Sequence, residues 1–215
     1  MFFFLFALFL FSCNDYSVNK VIQTEPELVV YPDSINFGNL RSGFESGQAT
    51  FAVINAGDEE LIISYPELIS VDDRFSLESD LEENYSIAPG ETQEFSVYYT
   101  PKTFETNGAV IRFVTNDADE NEYELPVVGF GDAPVMTVTP ELYDYGQISI
   151  GCDNEERITI RNDGNLALLV DNITQMVTQP QDIIMEMGSL PPLPWNIEPG
   201  QEVDFLVSYI PVDIS

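Results

Sequence analysis

From Leu28 onward, apolar and polar residues alternate with a period of two over most of the chain, the pattern of strands that bury one face. Phe95, Val97 and Tyr99 share one face of a segment, and Ala109, Ile111 and Phe113 share a face of the next, with Arg112 pointing outward. The alternation predicts strands over residues 28–31, 35–38, 49–54, 61–65, 92–100, 109–115 and 123–129, with turn chemistry at each junction and no helix. Pro32 is expected to divide one edge strand into two pieces. Residues 70–84 are acidic and irregular and predict a solvated loop.

One stretch organises the rest. Val53-Ile54-Asn55-Ala56-Gly57 leads through polar residues into Leu61-Ile62-Ile63, and the same move recurs at Ile160-Arg161-Asn162-Asp163-Gly164 before Leu168-Leu169. Each copy predicts strand, tight loop and strand, a hairpin in which Asn and Gly supply positive-φ positions. Other landmarks repeat with it: Pro32, Phe37 and Gly38 as Pro140, Tyr145 and Gly146; Ile87, Pro89 and Gly90 as Ile197, Pro199 and Gly200; Phe95, Tyr99 and Pro101 as Phe205, Tyr209 and Pro211. The offset stays between 107 and 110 residues, which points to duplication of a whole domain.

The expected fold class is therefore all-β, two tandem immunoglobulin-like β-sandwiches over residues 27–131 and 132–215, joined at Gly131-Asp132-Ala133-Pro134. The first copy has no tryptophan and no disulfide of its own, unlike an antibody domain. The second is expected to be incomplete at its C-terminus, because only Val212-Asp213-Ile214-Ser215 follow Pro211 where the first copy carries two more strands. Phe205 and Val207 should then lack their intended neighbours. Either the sequence stops short of a longer protein or another chain donates a strand.

Ahead of these units, residues 2–11 form an unbroken apolar run too short to span a bilayer as a helix, and residues 1–12 read as a signal peptide. The run ends in Leu10-Phe11-Ser12-Cys13, which resembles the lipobox of bacterial lipoproteins and implies lipidation of Cys13. No Lys or Arg precedes the run, and Phe11 is bulkier than the usual residue. The alternative is an ordinary secretory signal with an incidental cysteine. Residues 13–26 would be the lipidated Cys and a polar tether.

Charge narrows the partners. With 37 acidic residues against 7 basic and a net charge of −30, the surface repels nucleic acid and anionic membrane faces, so membrane contact is expected through the lipid alone. Histidine is absent and only Cys13 and Cys152 are present, which removes the Ser-His-Asp machinery and any thiolate zinc site. No catalytic residue, metal, cofactor or small-molecule substrate is expected. Asp117, Asp119 and Asn121 crowd one turn and could offer oxygen to Ca²⁺, or serve only as turn formers. Cys152 is expected either to pair outside this chain or to fill a small buried space.

The Phe-Gly or Tyr-Gly strand end, the Asn-x-Gly loop, the Ile-x-Pro-Gly turn, the aromatic strand closing on Tyr-x-Pro, and Thr115-Asn116-Asp117 before Gly129-Phe130-Gly131 together resemble the ASH and Hydin-type immunoglobulin-like domains. In bacteria these are the choice-of-anchor D repeats. The resemblance implies a seven-strand sandwich of the PapD-like and major-sperm-protein group, serving as scaffold or interaction module for an unidentified protein partner. With the export signal it implies a bacterial envelope protein, outer-membrane anchored and facing periplasm or surface. The alternative is a cation-stabilised, adhesin-like surface protein.

Overall fold

The computed structural model describes residues 24–78, 84–174, 176, 182–186 and 190–212. The candidate signal peptide, Cys13 and the tether up to residue 23 lie outside the described residues. The first unit is built from β1 (Leu28–Tyr31), β2 (Ile35–Arg41), β3 (Gly47–Asn55), β4 (Leu61–Ile63), β5 (Glu67–Ser70), β6 (Phe75–Glu78), β7 (Tyr85–Ile87), β8 (Thr92–Tyr99), β9 (Thr106–Val114) and β10 (Glu122–Asp132). The second contains β11 (Met136–Thr139), β12 (Asn154–Asn162), β13 (Leu168–Val170), β14 (Ile183–Glu186), β15 (Trp195–Ile197) and β16 (Glu202–Tyr209).

In the first unit, one antiparallel sheet runs β1-β3-β8-β6 and a second runs β2-β10-β9-β5, with β4 and β7 paired as a short ribbon. The second sheet is antiparallel except that β2 lies parallel to β10. The period-two pattern puts Phe51, Val53, Phe95, Val97 and Tyr99 of one sheet against Ile111, Phe113, Leu125 and Val127 of the other, all buried. Burying each such side chain contributes roughly 1.5–3 kcal/mol, so the facing sheets supply the drive to fold. This is the immunoglobulin-like sandwich that the alternation predicts, with one correction: the stretch expected to be a solvated loop over residues 70–84 contains β6, which pairs with β8 and buries Phe75.

Tyr99 is the hinge of that core. Its ring stacks on Phe75 at 4.6 Å and lies 5.5 Å from Phe37, and its hydroxyl donates to Asn107 Oδ1 at 2.6 Å. Gly129 on β10 passes so close that a Cβ there would sit 2.3 Å from the Tyr99 ring.

Pro32 does more than divide a strand. Before it, β1 pairs with β3 in one sheet; after it, β2 pairs with β10 in the other, so the chain changes sheets across the cis Tyr31–Pro32 peptide. Both pieces are edge strands, which is where a residue without an N–H is tolerated.

The Asn-x-Gly loop is not a hairpin. β3 belongs to the sheet with β1 and β8, whereas β4 pairs with β7, so the loop carries the chain away from the sheet instead of folding it back.

The second unit repeats the first sheet as β11-β12-β16-β14 and the ribbon as β13-β15. Among the described residues it has no counterpart of the β2-β10-β9-β5 sheet. Residues 143–149, which correspond to β2, are not a strand, since β2 takes its hydrogen bonds from β10. Phe205 nevertheless departs from expectation: it is buried, with its ring 6.3 Å from Trp195, and Ile160, Val170 and Ile197 complete a small core. Trp195 stands where the first copy has Tyr85, and Val207 is half-buried against the same small core. Tyr145 folds inward as well, its hydroxyl donating to the Val207 carbonyl at 2.6 Å.

Candidate functional site

The repeated landmarks converge on one place in each unit. Asn55 ends β3 fully buried, and its side-chain Nδ2 donates to the Glu59 carbonyl at 2.7 Å and the Ile87 carbonyl at 2.9 Å. Its Oδ1 accepts from the Gly57 N–H at 3.0 Å, and the Glu27 N–H stands 3.5 Å away. One amide thus ties the loop, the end of β7 and the segment entering β1.

Pro89 and Gly90 complete the cluster. Glu91 N–H donates to the Ala88 carbonyl at 3.0 Å with Gly90 at φ +78°, a type II turn with proline and glycine where that turn wants them. Gly90 N–H donates to the Asn55 carbonyl at 2.8 Å, and Asn55 N–H to the Glu91 carbonyl at 3.1 Å.

Asn162 repeats each of these bonds. Nδ2 donates to the Leu166 and Ile197 carbonyls at 2.7 and 2.9 Å, and Oδ1 accepts from Gly164 and Val135 N–H at 3.0 and 3.2 Å. Gly200, at φ +75° after Pro199, donates to the Asn162 carbonyl at 2.8 Å. The landmarks are therefore the parts of a structural clasp.

Gly57 and Gly164 play a different part from the one the sequence suggests. Neither is among the positive-φ glycines. A Cβ on Gly57 would lie 2.2 Å from the Glu25 carbonyl oxygen and 2.5 Å from Glu27 N; one on Gly164 would lie 2.1 Å from the Ala133 oxygen. Glycine is needed because another backbone passes against it, and that backbone is the segment leading into each unit. Residues 25–27, expected to be the end of a free tether and the domain's first residue, are held by Asp58 N–H on Glu25 O at 3.1 Å and Ala56 N–H on Glu27 O at 2.8 Å. The linker is held likewise: Asn165 N–H donates to Ala133 O at 3.1 Å, and Asp132 Oδ1 accepts from both Asn39 and Asn165 side chains.

Asp117 is buried and Asp119 and Asn121 are exposed. Asp117 Oδ2 accepts from Leu28 N–H at 2.8 Å and Oδ1 from Asp119 and Glu120 N–H at 2.9 and 3.4 Å, which staples the β9–β10 turn to the start of β1. Burial works to raise the Asp117 pKa, but these three backbone donors outweigh it and hold the carboxyl below the ordinary range. Among the described residues no three acidic or cysteine side chains are grouped as a metal would need. Cys152 is exposed with a free thiol in a turn, where Gly151 takes φ +76°, so it does not fill an interior space.

No family model matches the chain. No curated protein matches it either. Among solved structures it is similar to the ASH / PapD-like domain 7 of human CEP192, at 13% identity and a TM-score of 0.37 over 48% of this chain and 84% of that one. It is also similar to a Porphyromonas gingivalis W83 protein of unknown function, at 15% identity and TM-score 0.38 over 85% and 83% of the two chains. The periplasmic chaperone SfaE matches at 11% identity and TM-score 0.38, over 83% of this chain and 87% of its own.

Proposed function

We propose that the protein is a non-catalytic lipoprotein of the bacterial envelope, anchored through Cys13, which presents immunoglobulin-like modules as scaffold and protein-interaction surfaces. The observation that carries the reading is Leu10-Phe11-Ser12-Cys13 closing an apolar run, directly ahead of a polar segment and two units with repeated architecture. Supporting it, the residues that repeat between the units hold backbone together and leave their polar atoms engaged, as in a scaffold. The chain has no histidine to serve as general base. Protein partners would meet the acidic units, while the membrane is met by the lipid alone.

Metabolic labelling with an alkyne palmitate analogue tests the anchor. The protein should take up label and lose it in Cys13→Ala; absence of label, or label that survives the substitution, overturns the proposal.

A further inference from the structure

The outer face of the β2-β10-β9-β5 sheet departs from the alternation that built it. Outward positions of a sandwich sheet face water and are ordinarily polar. One cross-strand row obeys this: Glu67, Arg112 and Glu124 stand side by side on β5, β9 and β10. The neighbouring row is Ile69, Val110 and Pro126, wholly apolar, and beyond it Val128 stands opposite Gly108. With no side chain on Gly108, an open groove of about 340 Å³ runs between Ile69, Val71 and Val110. Val71 at its mouth is 98% exposed.

The groove lies along an open edge. β5 is the outer strand of its sheet, and among the described residues its outward backbone groups have no partner. An unpaired edge beside apolar side chains is the arrangement that takes up an extended segment as one more strand.

Charge selects the occupant. Arg112 is held by Glu67 at 2.8 Å and Glu122 at 3.4 Å, and Arg74 at the far end by Asp72 and Glu105, each at 2.6 Å. The nearby cations are thus spent within the protein, and the groove sits in the field of a chain with net charge −30. A second copy would bring the same acidic rim and be repelled. We infer that the β5 edge docks an extended cationic segment of a partner protein. An apolar side chain of that segment lies beside Ile69, and a Lys or Arg two residues away on the same face lies beside Glu67. The inference rests on reading the protein as an interaction module and is independent of its anchor.

A blocked decapeptide of Val, Thr and Lys, with Val and Lys two residues apart, is titrated into the full chain alongside its counterpart carrying Glu for Lys. Fluorescence anisotropy at about 20 and 200 mM salt reads affinity, and hydrogen exchange reads location. The lysine peptide should bind, weaken by about tenfold at the higher salt, and protect the amides of residues 67–70, while the glutamate peptide does not bind. The double variant Ile69→Thr, Val71→Ser alters exposed side chains only, so it should keep the melting temperature and lose at least about tenfold in affinity. Equal binding of the two peptides, an unaffected variant, protection elsewhere, or no saturation at millimolar peptide overturns the inference. So does sedimentation showing a dimer of the native chain that the variant abolishes. Loss of palmitate labelling would sink the anchor and leave these results untouched.

Discussion

Asn55→Ala removes one buried side chain and strips partners from the Glu59 and Ile87 carbonyls and the Gly57 N–H together. A buried polar group left without its partner costs about 1–3 kcal/mol. The Ile87 bond is buried, whereas the other two are partly buried and can recover water, so the expected loss is about 2–4 kcal/mol. Asn55→Asp keeps the shape and turns the donor into an anion facing two carbonyl oxygens. At neutral pH it should cost more than alanine. The introduced carboxyl has a folded-state pKa raised above the unfolded value of about 3.9, so stability declines as pH rises through that window and is restored below it. Urea unfolding by circular dichroism measures both variants. Trp195, the single tryptophan, reports on the second unit alone, and its fluorescence transition should shift for Asn162→Ala more than for Asn55→Ala. An Asn55→Ala loss below about 0.5 kcal/mol, or an Asn55→Asp penalty that does not ease on acidification, would refute the clasp.

The two kinds of glycine separate by alanine substitution. Gly90→Ala meets only the left-handed backbone penalty of about 1–2 kcal/mol, since nothing lies within 4 Å of its Cβ position, whereas Gly57→Ala drives a methyl into the backbone of residues 25–27. Gly57→Ala should therefore cost more and speed hydrogen exchange at the Ala56 and Asp58 amides, and equal behaviour of the two variants would show that close approach is not the reason for Gly57. Asp117 makes the first unit acid-sensitive: its folded pKa is depressed, so its contribution is present above the unfolded value and is lost as pH falls through the folded one. Asp117→Asn should flatten that part of the pH–stability curve; an unchanged curve speaks against the staple. Since both Asp117 oxygens already accept N–H bonds, millimolar Ca²⁺ should leave the melting temperature where it is, and a rise would instead favour a cation site at Asp117, Asp119 and Asn121.

The sandwich was legible because burial in strands has a period that sequence displays directly: Phe95, Val97 and Tyr99 could face nothing but a core. The type II turns at Pro89-Gly90 and Pro199-Gly200 were legible for the same reason, as local backbone demands particular residue types locally. Gly57 was misread because a glycine needed for positive φ and one needed for close approach look alike in sequence. The segment that passes Gly57 enters from Glu25, some thirty residues earlier, and no local pattern reports it. The burial of Phe205 is not visible in the sequence because Trp195, at the repeat position of Tyr85, comes within 6.3 Å of it only through the fold. The exposed row Ile69, Val110 and Pro126 could not be seen from one strand at a time, since it exists only in the register of three.

Comparison of the units separates what belongs to the clasp from what belongs to the sandwich. Asn55 and Asn162 hold the same bonds to within a few tenths of an ångström, although among the described residues the second has no counterpart of the β2-β10-β9-β5 sheet beside it. The clasp geometry therefore does not depend on β9 and β10. It depends on β3, the β4–β7 ribbon and the incoming segment, all of which the second unit reproduces as β12, β13–β15 and residues 133–135. The Tyr99 hydroxyl shows the opposite dependence. In the first unit the tyrosine hydroxyl reaches Asn107 on β9, which has no counterpart among the described residues of the second; the ring contact is common to both, Tyr99 lying 5.5 Å from Phe37 and Tyr209 5.4 Å from Tyr145, whose own hydroxyl takes the Val207 carbonyl. Tyr145 therefore takes the place of Phe37 beside its tyrosine with or without an opposing sheet, and the hydroxyl it adds to that ring needs an acceptor, which the Val207 carbonyl supplies.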